Sequence, residues 1–221
     1  MDQRTDRVPP EAGLFVASGD AALLESLLGQ GGGRTNRYRI HEVLQVTGEP
    51  PAALGPAAAG GWQMVRVLRS GPLEMPQAAG AVTFGGMIQH LHYTTAEQRR
   101  ELLSQSRQAP PPGEDTMAVV IPIRKSKAWW DLAQDERQAH FRKGDRHTTI
   151  GLGYADRIFR TLFHARYLAT PSPYDFVTYF EFERRYAGAF RELCAELRDP
   201  AQNPEWAYVD LEFEIWTTKY A

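Results

Sequence analysis

A proline-rich segment near the middle of the chain constrains the fold more than any other feature. Residues 109–115 read Ala-Pro-Pro-Pro-Gly-Glu-Asp, and segments with regular hydrophobic patterning lie on both sides. Proline fixes its own φ angle and lacks a backbone N–H, so a run of three prolines interrupts helices and sheet ladders alike. The segment is therefore a boundary, and each side of it must supply its own strands and helices.

The part before this boundary is predicted to be an arm followed by a strand-rich half. Residues 1–35 carry paired prolines, one short apolar stretch and three consecutive glycines, so we expect a flexible N-terminal arm there. Residues 36–108 form the first half. Hydrophobic alternation predicts three strands, and strong helix formers after a threonine predict a helix, in the order 38–46, 62–68, 81–93 and 94–103.

Residues 116–221 are predicted to form the second half. The patterns predict strands at 117–123, 156–167, 174–181 and 208–216, and helices at 126–142, 146–155 and 183–197. Both halves mix strands and helices without the regular strand–helix alternation of a doubly wound sheet. We therefore expect an α+β fold with antiparallel sheets, in which two similar halves pack into a barrel.

Composition excludes several functional classes. The 25 Lys and Arg residues are offset by 27 Asp and Glu residues, and no basic stripe is present, so we expect no nucleic-acid partner. Cys194 is the only cysteine, which excludes disulfides within the chain and thiolate clusters. No apolar run is long enough to span a bilayer and no signal-peptide pattern is visible, so we expect no membrane association and a cytoplasmic location.

The histidines limit the possible metal sites. None of them forms the H-E-x-x-H pattern of a zinc site. A single imidazole is sufficient, however, when a macrocycle supplies the other ligands, as in haem proteins. The six candidates are His41, His90, His92, His140, His147 and His164.

Four short motifs follow one another in the second half. They are Lys125 with Trp129-Trp130, then His147-Thr148-Thr149, then Arg160, then Thr178-Tyr179-Phe180-Glu181. Their joint order resembles the chlorite dismutase family, over about residues 80–216. The resemblance implies two ferredoxin-like halves with antiparallel sheets that form a dimeric α+β barrel.

The resemblance also implies a haem b site. His147 resembles the proximal iron ligand, and Glu205 resembles the carboxylate that hydrogen-bonds its outer nitrogen and makes the imidazole more basic. Lys125 and Trp129 resemble members of the same proximal network. Trp130 resembles a residue that packs along the macrocycle.

On the distal side, Arg160 resembles the arginine that faces the substrate. Leu162, Thr178 and Phe180 resemble residues that line the apolar distal cavity. Tyr93 resembles a residue that binds a haem propionate.

The activity implied is the decomposition of chlorite to chloride and dioxygen. Its substrate is a small anion such as chlorite, or a peroxide, and the family forms homo-oligomers, either dimers or pentamers. Two alternatives stay open: a peroxidase-like or biosynthetic haem oxidase acting on an organic substrate, and a non-catalytic haem-binding protein on the same scaffold.

Each of these residues, considered alone, has an ordinary structural interpretation. An isolated His147 is most simply a surface or helix-capping residue, and an isolated Arg160 is a solvated strand residue or an ion-pair partner. Glu205 is most simply a loop residue. Only their combined order gives the functional interpretation its weight.

Overall fold

The structure is a computed structural model that describes residues 11–28, 33–55, 60–71, 73–88, 96–97, 100, 104, 108–142 and 146–221. Its strands are β1 (Glu11–Ser18), β2 (Arg34–Thr47), β3 (Gln63–Ser70), β4 (Ala81–Ile88), β5 (Thr116–Lys125), β6 (Phe159–His164), β7 (Phe176–Glu183) and β8 (Val209–Lys219). Its helices include α1 (Ala21–Leu28), α2 (Lys127–Asp131), α3 (Gln134–Arg142), α4 (Arg146–Leu152) and α5 (Ala187–Arg198). Short 3-10 helices lie at Ala52–Leu54, Arg184–Tyr186 and Pro204–Tyr208.

The strands form one closed antiparallel barrel in the order β1-β3-β2-β8-β5-β7-β6-β4. Four consecutive positions, β4-β1-β3-β2, come from the first half of the chain, and the other four, β8-β5-β7-β6, come from the second. Each set has its fourth strand beside its first and its third beside its second, which is the ferredoxin-like arrangement. The predicted α+β fold with two ferredoxin-like halves is confirmed, and the halves meet where β2 pairs with β8 and β4 with β6.

The structure corrects the prediction of a flexible arm over residues 1–35. Residues 11–18 form β1, which lies between β3 and β4 in the barrel. Phe15 and Ala17 are fully buried in the barrel interior, while Leu14 and Val16 pack on the opposite face in a cluster that includes Leu24 of α1. A strand buried on both faces shows no alternation, so the pattern of residues 12–17 did not predict a strand. The first half therefore begins near residue 11 rather than residue 36.

Two predicted elements differ from the structure at their ends. The helix predicted at 126–142 is two helices, because the chain is extended at Leu132 (ψ 142°), and Ser126 caps the first by accepting a hydrogen bond from the Trp129 backbone N–H. The strand predicted at 81–93 is described only to Ile88. Its remainder, with Tyr93, and most of the helix predicted at 94–103 lie outside the described residues.

Strand alternation in the second half separates two environments. Val177 and Tyr179 of β7 point into the barrel, where they pack with Phe163 and Phe213. Phe180 and Phe182 point outward, where α5 covers them with Phe190 and Leu193. The candidate site lies on this outer face, between the sheet and the helices.

The placement of β1 can be tested with a single methyl group. A Cβ atom on Gly13 would lie 2.2 Å from Cε1 of Phe163, so the Gly13→Ala substitution overpacks the barrel wall. We expect it to lower the free energy of unfolding by about 1–3 kcal/mol in urea denaturation. Gly188→Ala is the control, because no atom lies within 4 Å of its added Cβ and we expect no loss of stability. Equal stability of both variants would contradict the buried position of β1.

Candidate cofactor site

A small cavity lies between the outer face of the second-half sheet and the helices that cover it. Its volume is about 40 Å³. Apolar side chains from β5, β7 and α5 form much of its walls, and charged or polar groups enter from α4, α5, β6, β7 and β8, with Trp206 from the 3-10 helix Pro204–Tyr208. The lining residues are Ile121, Ile123, His147, Arg160, Thr178, Phe180, Cys194, Leu197, Arg198, Trp206 and Glu212.

His147 lies near the start of α4 and is joined to a buried carboxylate. Its Nδ1 lies 2.8 Å from Oε1 of Glu205, where Nδ1–H can donate to the carboxylate oxygen. Glu205 belongs to the 3-10 helix Pro204–Tyr208 and is 1% exposed. This hydrogen bond fixes the tautomer of the imidazole and leaves Nε2 as its available ligand atom.

The backbone around Glu205 is held in place by a neighbouring side chain. Asn203, just before this 3-10 helix, is buried, and its Nδ2 donates to the carbonyl oxygen of Glu196 in α5 at 2.9 Å. Oε2 of Glu205 is buried and makes no hydrogen bond with the residues that the structure describes. One oxygen of the carboxylate is thus committed to His147, and the other has no such partner.

Lys125 joins the same cluster from the end of β5. Its Nζ donates to the backbone carbonyl oxygen of Glu205 at 2.6 Å and lies 5.0 Å from the ring centroids of both Trp129 and Trp206. Burial lowers the pKa of Lys125 to about 8, although Glu205 and Glu212 act in the opposite direction. A lysine placed between two indoles keeps its charge through such contacts and through the nearby carboxylates.

The two adjacent tryptophans predicted for the site take different positions. Trp129 is buried and packs against His140, Phe141 and Tyr208. Trp130 points the other way, with its Nε1 donating to Oδ2 of Asp175 at 3.2 Å. Neither indole is among the side chains that line the cavity.

Asp175 links Trp130 to the rest of the cluster. Its Oδ2 also accepts from the backbone N–H of Lys125 at 2.7 Å, and its Oδ1 accepts from Nη1 of Arg166 at 2.8 Å. The guanidinium of Arg166 lies 3.8 Å from the centroid of the Trp130 ring, and the ring of Phe176 stacks on that indole at 6.1 Å. The orientation of Trp130 is therefore fixed by groups outside the cavity.

The predicted distal residues lie on two paired strands. Arg160 of β6 is opposite Phe180 of β7, and Leu162 is opposite Thr178. Because alternate residues share a face, all four lie on the outer side of the sheet. Arg160, Thr178 and Phe180 line the cavity together with His147, whereas Leu162 is not among the lining side chains.

Arg160 has an unusual environment for an arginine. Its side chain is exposed to solvent, yet the protein atoms around the guanidinium desolvate it in part and lower its pKa. Both observations fit a group inside an open cavity rather than on a convex surface. Within the described ranges, Arg160 makes no hydrogen bond or ion pair, so its donors are available to a ligand.

Sequence reasoning missed the charged residues at the other end of the cavity. Glu212 and Glu214 alternate with apolar residues in β8, which is the pattern of a strand with one solvated face. They are 1% and 4% exposed, and both pair with Arg198 at the end of α5. Trp216, on the same face as these two glutamates, is the signal that the face is covered.

The described side chains do not form an all-protein metal site. In the part of the chain that the structure describes, no three His, Cys, Asp or Glu residues are close enough to hold a metal ion together. Burial raises the pKa of the Cys194 thiol to about 12, which makes it a poor ligand.

Among the described segments, no helix has the length and hydrophobicity needed to cross a bilayer.

Comparisons with known proteins identify related chains. The family model described as chlorite dismutase matches residues 62–215. A curated chlorite dismutase from Ideonella dechloratans is 28% identical over 119 residues, which cover 53% of this chain and 39% of that protein. The match thus spans about two fifths of that relative's length.

Solved structures give a similar result over more of the chain. The dimeric chlorite dismutase from Nitrobacter winogradskyi is 29% identical and superposes with a TM-score of 0.65, covering 92% of this chain and 99% of that one. A chlorite dismutase variant from Candidatus Nitrospira defluvii, in complex with cyanide, superposes with a TM-score of 0.62 at 20% identity. That pair covers 96% of this chain and 91% of the other, and it supports the fold alone.

The lowered pKa of Lys125 predicts a dependence of stability on pH. Between about pH 8 and 10.5 the unfolded chain holds the lysine proton more tightly than the folded chain, so stability rises with pH across that window. We expect the unfolding free energy of the parent, measured relative to that of Lys125→Met, to rise across this pH window by on the order of 1–3 kcal/mol. Denaturant titrations at several pH values measure it, with Lys127→Met, an exposed lysine two residues away, as the control. The same slope in both comparisons would show that Lys125 is not the source.

Proposed function

The chain belongs to the chlorite dismutase family, and from this premise we propose that it is a haem b enzyme that decomposes chlorite to chloride and dioxygen. The observation that carries the proposal is the cavity that His147 and Arg160 share. In this cavity, a histidine that is hydrogen-bonded to a buried carboxylate lies near an arginine that has no ion-pair partner among the described residues.

The donor set of the cavity suits a haem iron. His147 offers Nε2 as the axial ligand, and Glu205 makes that imidazole a stronger donor by accepting its Nδ1–H. Lys125 stabilises the negative charge of Glu205 from the other side, through the carbonyl contact and its nearby ammonium. The apolar walls from Ile121, Ile123 and Phe180 suit a macrocycle, which is itself largely apolar.

The size of the cavity adds a condition to the proposal. A volume of about 40 Å³ is much smaller than a porphyrin, so binding requires this space to widen. Tyr93, which we propose as a propionate-binding residue, lies outside the described residues. We propose that Leu162 lines the distal side of the bound cofactor, that Trp129 belongs to the proximal hydrogen-bonded network, and that Trp130 packs along the macrocycle.

Arg160 supplies the distal chemistry that the chain itself contributes. When bound, the haem iron would coordinate chlorite and supply the oxidation and reduction steps. The guanidinium of Arg160 attracts the anion, orients it by fork-like hydrogen bonds and retains the chlorine-containing fragment until dioxygen has formed. Thr178 and Phe180, both buried, form the wall of the cavity beside Arg160.

Two further properties belong to the same proposal. We propose that the protein is a homo-oligomer, which the dimeric state named for the Nitrobacter winogradskyi protein supports. We also propose a cytoplasmic location, which rests on the sequence pattern alone.

The ligand role of His147 is tested by haem binding. We expect the parent to bind haem b in about a one-to-one ratio and His147→Ala to lose tight binding, because it removes the only axial donor proposed. Titration followed in the Soret band measures both. His41→Ala is the matched control, since His41 lies on the first half and hydrogen-bonds Thr218 away from the cavity. A normal Soret spectrum in His147→Ala would reject His147 as the ligand.

The role of Arg160 is tested by oxygen release from chlorite. We expect Arg160→Ala to keep its haem and to lose up to about a hundred- to thousand-fold in rate, the usual effect of removing one preorganised electrostatic contact. Anion affinity should fall and inactivation should accelerate as hypochlorite escapes, so oxygen yield and lifetime are measured with and without a hypochlorite trap. Arg157→Ala, which removes a nearby arginine paired with Asp156, is the control.

The outcomes separate the proposed function from its alternatives. If the parent binds haem and releases no oxygen from chlorite, the chlorite proposal fails, and turnover of organic substrates with peroxide then tests the oxidase alternative. Rapid haem loss without any turnover favours a haem carrier. If parent and Arg160→Ala release oxygen identically, the activity stands and Arg160 loses its role.

A further inference from the structure

A chain of contacts leads from His147 to Arg198 through groups that the proposed function does not use. The indole of Trp206 stacks on the imidazole of His147, with ring centroids 6.4 Å apart and planes inclined by 27°. Nε1 of Trp206 donates to Oε2 of Glu212 at 3.1 Å. Oε1 of Glu212 accepts from Nε and Nη2 of Arg198, at 2.9 and 2.7 Å.

Trp206 is confined by its neighbours. Lys125 Nζ lies 5.0 Å from its ring centroid, so the indole has contacts with both the ammonium and the imidazole. The indole N–H is its only polar group, and a largely buried indole N–H needs a partner. The hydrogen bond to Glu212 therefore sets the rotation of the ring that packs on His147.

The side chain of Glu212 is itself fixed by hydrogen bonds to both of its oxygens. It is 1% exposed, and its two oxygens have different partners, Arg198 and Trp206. Burial lowers the pKa of Arg198, but its ion pairs with Glu212 and Glu214 more than reverse this and raise it, so the guanidinium stays charged. Charge-assisted hydrogen bonds of this kind are the stronger class.

Two residues further along β8, the structure contains a second copy of this arrangement. Oε1 of Glu214 accepts from Arg198 at 2.5 Å, and its Oε2 accepts from Trp216 Nε1 at 2.5 Å. Trp216 packs against Phe190, with ring centroids 5.2 Å apart, in the cluster beneath α5. Both carboxylates therefore compensate Arg198 and bind an indole, but only the one at Glu212 leads to His147.

We propose that Glu212 and Arg198 are positioning residues for His147, acting through Trp206. The inference rests on the ligand role proposed above for His147 and deepens it. Glu205 fixes the imidazole through its Nδ1, along the ring edge, while Trp206 restricts tilting of the ring face. Together they aim Nε2 in one direction.

Matched glutamine variants separate this role from simple charge compensation. In Glu212→Gln an amide NH₂ replaces one of the two carboxylate oxygens and cannot accept, so Arg198 and Trp206, which bind different oxygens, can no longer both donate from their present positions. Glu214→Gln has the same effect on Arg198 and Trp216. We expect Glu212→Gln to shift and broaden the His147 ring signals in spectra of the full chain labelled with ¹⁵N-histidine, without haem. We expect Glu214→Gln to leave these signals in place.

The haem-loaded proteins provide a second measurement that does not depend on turnover. Loss of an outer partner of a metal-binding histidine commonly weakens metal binding by about 10- to 100-fold. We expect haem transfer to excess apomyoglobin to be about tenfold faster from Glu212→Gln than from the parent, at the lower end of that range. Transfer from Glu214→Gln should match the parent.

Trp206→Phe keeps the inference testable if Glu212→Gln does not fold. It keeps a smaller aromatic ring and removes the N–H donor, so it should reproduce the Glu212→Gln effects, and the double variant should add little to either single variant. Equal effects of Glu212→Gln and Glu214→Gln, or none from Glu212→Gln and Trp206→Phe, would overturn the inference. If the parent binds no haem, the proposed function fails, while the nitrogen spectra still decide whether Glu212 orients His147.

Discussion

The candidate site depends on the burial of one carboxylate. Glu205 is 1% exposed, and a charge removed from water in this way persists only when nearby groups compensate for the lost hydration. His147 donates to one of its oxygens, and the Lys125 ammonium binds its backbone carbonyl. Lys125 is itself buried against Trp129 and Trp206. The need to stabilise Glu205 thus determines how the end of β5, α4 and the segment before β8 come together.

The barrel supports this arrangement by separating two sets of polar groups. Thr178 and Phe180 of β7 face the cavity, while Tyr179 and Glu181, from the same strand, face the barrel interior. There Glu181 is fully buried and pairs with Lys219 at 3.1 Å and with Arg66 at 3.5 Å. Because Arg66 comes from the first half and Glu181 from the second, this interior pairing ties the halves together.

Much of the fold and part of the site could be predicted from sequence because they depend on local pattern. The alternation in β6 correctly placed Arg160 on the face opposite Phe163, and the motif order singled out His147. Glu205 is 58 positions from His147, and no local pattern could pair them; the family resemblance supplied that pair. The position of β1 was missed because a strand buried on both faces lacks the alternation that identifies strands.

Glu212 was missed for a related reason. An acidic residue between Leu211 and Phe213 follows the pattern of a strand with one solvated face, and periodicity cannot distinguish water from a covering helix that carries an arginine. What distinguishes them is the partner, and Arg198 comes from a different element, α5. An ion pair between two elements therefore cannot be predicted from the hydrophobic pattern of either segment alone.

The distribution of partners among the cations explains why Arg160 is suited to a ligand. Arg198 has Glu212 and Glu214 within hydrogen-bond distance, and Lys125 has the carbonyl of Glu205, so both have their donors engaged by the protein. Arg160, on the β6 side of the same cavity, has no such partner among the described residues, and its surroundings already disfavour its charge. A small anion in the cavity would supply the negative partner that Arg160 lacks among the described residues. Arg160 and Arg198 therefore differ: the charge of Arg198 is compensated by Glu212 and Glu214, while the hydrogen-bond donors of Arg160 have no partner among the described residues, as the anion-binding role proposed for it requires.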